Sequence, residues 1–210
     1  MLRFCMKASA GKVFEVLAAA EGLRQIILVG LHRAPARGER VVLVGSYLDT
    51  IIEHHESIIL LVRNEKYGSA FALLRPVYES VLRACWVNAC ATDAQVRDLR
   101  SADEHHKIFP YSAELFSQLD RAYGLNEQLQ KLKGKWEAMC SYTHSGLRQL
   151  ARRGFRGAKQ HGYSPRAIIE VVDFATSCLA SLARVYFAAT DNGLWALTVT
   201  ALEKDYYAPA

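Results

Sequence analysis

Apolar residues recur at a helical period through most of this chain, and that pattern constrains the fold more than any other feature. No segment shows the strict alternation of apolar and polar residues, bounded by turn residues, that is typical of a β-strand. The longest patterns predict helices over residues 11–32, 39–66, 70–91 and 165–190. With 210 residues the chain is large enough for one core and small for two. We predict an all-α antiparallel helical bundle with long central helices, forming a single domain over residues 1–210.

Capping and breaking signals divide the rest of the chain. The run Thr92–Gln95 is typical of a capping box, and it predicts a helix that ends at Pro110. Further helices are predicted over residues 112–124 and 126–153, the latter with room for a bend. A loop is expected over 154–163, and a short tail helix is expected to start at Gly193.

The helix predicted over residues 70–91 is apolar over more than half of its circumference, which is typical of a central helix in a bundle. Arg75, Glu79 and Arg83 share the remaining strip, one turn apart. Two interpretations stay open. The strip is either a surface ladder of ion pairs, or the lining of a polar cavity in which a charge requires a partner.

Composition excludes several classes of protein. The five cysteines are odd in number and contain no CxxC, which argues against a disulfide framework or a structural zinc site. The N-terminal residues lack the apolar stretch of a signal peptide, and no apolar run approaches the length of about 20 residues that a membrane span requires. We predict a cytoplasmic protein with no membrane association and no cofactor.

The most concentrated local signal is positive charge. No acidic residue occurs between Glu137 and Glu170. Within that segment we predict a nucleic-acid-binding surface formed by Arg148, Arg152, Arg153, Arg156 and Lys159. Arginine side chains contact phosphates, and the interleaved aromatic residues Phe155 and Tyr163 could stack on bases. The alternative is a solvated basic loop that has no ligand.

The run Ser141–Gly146 places His144 at the edge of an apolar helical stripe. A histidine at such a boundary is suited to general acid or base chemistry, although a half-buried structural histidine is the commoner case. We predict that Arg75, Glu79 and His144 meet as a candidate catalytic site. Arg75 would neutralise an anionic group, Glu79 would hold Arg75 or orient His144, and His144 would move a proton.

Two acidic–histidine runs, Glu53–Glu56 and Asp103–His106, raise the alternative of a metal-dependent bundle enzyme. Their adjacent histidines point in different directions, and the two runs fall short of a six-ligand set. We therefore predict no metal site.

Two segments, Ala72–Val81 and Ser141–Gly146, together resemble a pattern in bacterial proteins of the HEPN/Abi-like helical superfamily. The resemblance covers roughly residues 54–153. It implies a helical, dimeric protein that binds RNA and acts as a metal-independent ribonuclease in a toxin or phage-defence setting. Members use an arginine followed, after four to six residues, by a histidine.

Arg100 with His105, and Arg156 with His161, have that spacing here. Both pairs lie outside the two segments that carry the resemblance, and such matches arise by chance in an arginine-rich chain. We therefore expect an RNA-binding homodimer whose catalytic residues are Arg75, Glu79 and His144. The alternative is a non-catalytic helical module for dimerisation or partner binding.

Overall fold

The computed structural model describes residues 2–101, 108–125, 129, 133–152 and 162–207. The helices in chain order are α1 (Leu2–Arg33), α2 (Glu39–Arg63), α3 (Tyr67–Ala89), α4 (Asp93–Ser101), α5 (Ser112–Tyr123), α6 (Lys133–Thr143), α7 (Leu147–Ala151), α8 (Pro165–Ala189) and α9 (Gly193–Tyr207). The described residues contain no strand, so the all-α prediction is confirmed. Within the same ranges, no helix is both long and apolar enough to cross a membrane.

The helix starts follow the capping signals of the sequence. At α4 the Thr92 N–H donates to Gln95 Oε1 at 2.8 Å, and the Gln95 N–H donates back to Thr92 Oγ1 at 3.3 Å. This reciprocal pair satisfies two N–H groups that the first turn leaves free. At α8 the Ala167 N–H donates to the Ser164 hydroxyl oxygen, and Pro165 occupies the first helical position.

The core lies between α8 and the helices around it. α8 packs against α1, α2, α3 and α9, and α3 packs in addition against α2, α5 and α6. One apolar stripe of α8 is buried, formed by Ile168, Val172, Ala175, Leu179, Leu182 and Tyr186. Burying such stripes against each other removes apolar surface from water at roughly 25 cal/mol per Å². The broad apolar faces therefore explain why α3 and α8 occupy the middle of the bundle.

The helices predicted over 39–66 and 70–91 differ from the observed ranges by up to three residues, and two other boundaries differ more. The backbone of α1 is already helical from Leu2, nine residues before the predicted start at Gly11. The helix predicted to run to residue 153 instead ends at Thr143, and the short helix α7 follows it. The break occurs because Ser145 adopts a left-handed conformation with φ of 54°, which no α-helix can continue through.

Candidate functional site

Arg75, near the middle of α3, is the centre of the predicted site. Its Nη1 atom lies 3.0 Å from His144 Nε2 and 3.0 Å from Cys140 Sγ. The Trp136 ring lies against the same guanidinium, with its centroid 4.9 Å from the guanidinium carbon. Trp136, Cys140 and His144 follow one another at single-turn spacing, so one face of α6 and the cap residue after it hold Arg75.

A proline in α3 explains why α6 docks at this point. Pro76 has no N–H, so the Ala72 carbonyl four residues earlier has no donor within the helix. Thr143 Oγ1 of α6 lies 3.2 Å from Ala72 O and 3.1 Å from Met139 O of its own helix, so its single proton is shared between the two carbonyls. The sequence analysis missed Thr143 as a positioning residue. The signal that could have found it is an in-helix proline, which always leaves a carbonyl open to an outside donor.

The turn after α6 fixes the position of His144. The Gly146 N–H donates to Ser141 O at 2.6 Å, and Ser145 holds the left-handed position of this Schellman-type cap. A Cβ on Gly146 would lie 2.5 Å from Ser141 Oγ, so only glycine fits without displacement. The same hydroxyl accepts the Arg148 N–H at 3.1 Å, which starts α7 directly after the turn. The run Ser141–Gly146 is therefore a helix-ending motif that presents His144 as the C-terminal cap residue.

The contact between Arg75 and His144 sets the protonation pattern of the imidazole. A guanidinium has only donors, so Nε2 of His144 must be the acceptor in this 3.0 Å contact. The ring proton is then assigned to Nδ1, and His144 is neutral in this arrangement. His144 is exposed to solvent, so its ring is accessible to a ligand that draws Arg75 away.

Glu79 lies one turn after Arg75 and bridges two arginines. Its Oε2 is 3.7 Å from Arg75 Nε, and its Oε1 is 2.5 Å from Arg83 Nη2. The structure thus brings Glu79 onto Arg75, whereas the described contacts of Glu79 do not include His144. The side chains of Arg75 and Glu79 are 23% and 28% exposed, so the cluster is a partly exposed surface site.

The electrostatic character of the cluster is cationic. Two arginines share one carboxylate, so one positive charge lacks an anionic side chain. The last turn of α6 offers Arg75 the partial negative charge of a helix C-terminus instead, which is worth about 0.3–1 kcal/mol at a surface. That compensation is weak, and the site is therefore suited to an anionic ligand.

The structure describes two of the five predicted nucleic-acid-binding residues, and they differ in exposure. Arg148 is exposed at the start of α7. Arg152 is half-buried: its Nη1 donates to Gly162 O at 2.5 Å, and its guanidinium lies over the rings of Phe71 and Tyr163. It closes the base of the loop between α7 and α8. Arg153, Arg156 and Lys159 lie outside the described residues, as do Phe155 and His161.

The acidic–histidine runs give no ligand set in the described ranges. His55 is buried, and its Nε2 lies 3.0 Å from the Thr176 hydroxyl of α8. Its neighbour Glu56 is exposed and bonds Arg24 at 3.3 Å. The second run, Asp103–His106, lies outside the described residues, and so does His105 of the spaced pair with Arg100. Arg100 itself pairs with Glu39 at 2.6 Å.

Comparison with known proteins places this site inside a family. Residues 48–207 match the family of unknown function DUF6988. The chain belongs to that family. The matched region begins within α2 and includes Arg75, Glu79 and His144 together with the whole of α3, α6 and α8. The searches of curated proteins and of solved structures found no match to the chain.

Proposed function

We propose that this DUF6988 protein binds RNA and cleaves it without a metal ion, in the manner of HEPN-like ribonucleases. The observation that carries the proposal is the 3.0 Å contact between Arg75 and His144. These residues are 69 positions apart in the chain and come from different helices. A neutral imidazole beside a guanidinium at a half-open surface is the pair that phosphodiester transesterification requires.

The proposed reaction starts when an RNA phosphate binds Arg75. The phosphate competes for Nη1, which frees Nε2 of His144 to accept the proton of the ribose 2′-hydroxyl. The 2′-oxygen then forms a bond to phosphorus while the bond to the 5′-oxygen breaks. The leaving 5′-oxygen takes a proton from solvent, and the products are a 2′,3′-cyclic phosphate and a 5′-hydroxyl. Glu79 keeps Arg75 in place through the resting state.

Charge outside the cluster supports RNA as the substrate class. The chain carries a net charge of +5, and the segment between Glu137 and Glu170 contributes only basic charged residues. Arg148 lies on α7, immediately after the turn that holds His144. Phosphate contacts of this kind supply affinity that falls steeply with salt concentration.

The test uses purified protein, a labelled pool of short RNAs and excess EDTA. We expect wild-type protein to produce 2′,3′-cyclic phosphate ends, and His144→Gln to lower the cleavage rate at least ~100-fold, since a general base contributes about 10²–10⁴-fold. Arg75→Lys should lower the rate as well, because an ammonium lacks the planar fork that contacts Glu79 and the phosphate at the same time.

His32→Gln is the matched control, because His32 is an exposed histidine at the end of α1. It should cleave like the wild type. Circular dichroism checks that each variant remains helical. Equal cleavage rates for wild type and His144→Gln would refute the catalytic assignment of His144. An RNA affinity that does not change with salt concentration would refute the phosphate contacts.

We propose a cytoplasmic homodimer as the working form. The four cysteines that the structure describes outside the N-terminal segment, Cys85, Cys90, Cys140 and Cys178, are free thiols, which suits a reducing compartment. Leu194 and Leu197 of α9 remain 77% and 69% exposed, and a second copy could cover them. These same residues favour the second candidate, a non-catalytic interaction module, which would dimerise without binding or cleaving RNA.

A further inference from the structure

A cavity of about 780 Å³ lies on the other side of α6 from Arg75. Successive turns of α6 face it through Lys135, Ala138, Met139 and Tyr142, whereas Trp136, Cys140 and His144 face Arg75. α3, α7 and α8 supply the other walls. The cavity is therefore separate from the proposed ribonuclease site, and α6 forms the partition between them.

The walls of the cavity are mainly apolar and aromatic. The rings of Phe71 and Tyr142 pack against each other, with their centroids 4.8 Å apart and their planes inclined by 35°, and both residues line one side of the space. Phe174 of α8 and Met139 of α6 line the space as well. Aromatic walls of this kind favour a planar, apolar body, which stacks or meets the ring edges.

Alanine side chains leave the cavity hollow. Ala138 of α6, Ala151 of α7 and Ala167 of α8 all line it. The cavity opens to solvent at Lys135, Arg148 and Ala151, which are exposed. Pockets that bind small organic molecules measure about 300–1,000 Å³, and this cavity falls in that range.

The charges around the cavity do not balance. Glu170 is paired with Arg166 at 2.9 Å, and Asp173 accepts a hydrogen bond from the Tyr206 hydroxyl at 2.7 Å. Lys135 and Arg148 also line the cavity, but neither makes an ion pair with a described residue. Asp173 has no ion-pair partner among those residues either, because the Tyr206 phenol is neutral. Counted over the lining, the cations Lys135, Arg148 and Arg152 exceed the anions Glu170 and Asp173 by one charge.

We propose that this cavity is a binding site for a small organic anion with a planar, apolar body, such as an aromatic carboxylate or sulfonate. The anionic head lies between Lys135 and Arg148, and the body lies against Phe71, Tyr142 and Phe174. The site goes beyond the proposed RNA cleavage, because its walls include neither Arg75 nor His144. It shares Arg148 and Arg152 with the predicted nucleic-acid-binding surface.

The test uses two fluorescent probes of nearly the same shape. One is the anion 8-anilinonaphthalene-1-sulfonate, and the other is the neutral N-phenyl-1-naphthylamine. We expect the anion to bind the folded protein saturably at one site per chain. Ala138→Phe should weaken that binding at least ~10-fold by filling the space. Ala113→Phe, at an exposed alanine of α5, is the matched control and should bind as the wild type does.

If Ala138→Phe fails to fold by circular dichroism, Ala167→Phe fills the same cavity from α8. Arg148→Gln should lower the affinity for the anionic probe ~5–10-fold and leave the affinity for the neutral probe unchanged. Arg97→Gln, at an exposed arginine of α4, should change neither affinity. Unsaturable binding, or equal binding in the filled variant and the Ala113→Phe control, would overturn the site. Arg148→Gln with unchanged affinity for the anion would overturn the anionic class of ligand.

Discussion

His55 makes the stability of this protein depend on pH in a window that can be calculated. The side chain is buried between α2 and α8, and its Nε2 donates to the Thr176 hydroxyl, whose own proton goes to the Val172 carbonyl at 2.7 Å. Nδ1 is buried without a hydrogen-bond partner. Protonation at Nδ1 would therefore place an unpaired positive charge in the core.

Burial lowers the pKa of His55 from 6.5 to about 4, and repulsion from Arg24 adds to the effect. Above pH 6.5 the residue is neutral in both the folded and the unfolded chain, so it adds no pH dependence. Between pH 6.5 and 4 only the unfolded chain binds the proton, and the free energy of unfolding falls as the pH falls. At about 1.4 kcal/mol per pKa unit, the full loss is about 3 kcal/mol.

The assay is urea unfolding followed by circular dichroism, at pH values from 7 down to 4. Other groups titrate in this range, so the useful quantity is the difference between wild type and His55→Gln, which keeps a donor for Thr176 but does not titrate. We expect the wild type to lose about 3 kcal/mol relative to His55→Gln across the window. His32→Gln, at an exposed histidine, should track the wild type. If the difference in the free energy of unfolding between wild type and His55→Gln stays constant from pH 7 to pH 4, His55 is not a buried, neutral histidine.

Three further predictions concern the candidate site and the assembly. Thr143→Ala should lower the free energy of unfolding by about 1 kcal/mol, because it leaves the Ala72 carbonyl without its donor, and Thr143→Ser should restore it. Gly146→Ala should cost about 1–3 kcal/mol in urea unfolding, because the new Cβ meets Ser141, and a neutral effect would contradict the tight turn. Light scattering should show a dimer at high micromolar concentration, with Leu194→Lys favouring monomer. A wild-type monomer would exclude the proposed assembly.

Local pattern was enough to predict most of the helices. A helix makes its backbone hydrogen bonds within one segment of the chain. The period of its apolar residues and the capping residues near its ends are therefore enough to predict it, as at Thr92–Gln95 and Ser164. The Arg75–Glu79–Arg83 strip was equally local, because residues four apart are neighbours on any helix. The break after α6 was missed because Ser145 is an unusual residue for a left-handed position, where glycine is the common signal.

Packing between distant segments decided the contacts of the candidate site and the presence of the cavity beside α6. The sequence predicted Arg75 and His144 on two apolar helices, but their 3.0 Å contact depends on how α6 docks on α3, which includes the ring contacts Phe71–Tyr142 and Tyr78–Trp136. Arg152 stays a prediction as a nucleic-acid-binding residue, and only the structure shows that its guanidinium contacts a backbone carbonyl and two aromatic rings. The cavity beside α6 had no local signal at all. Its walls come from separate helices, and only their mutual distances, set by tertiary packing, decide whether alanine side chains leave a space between them.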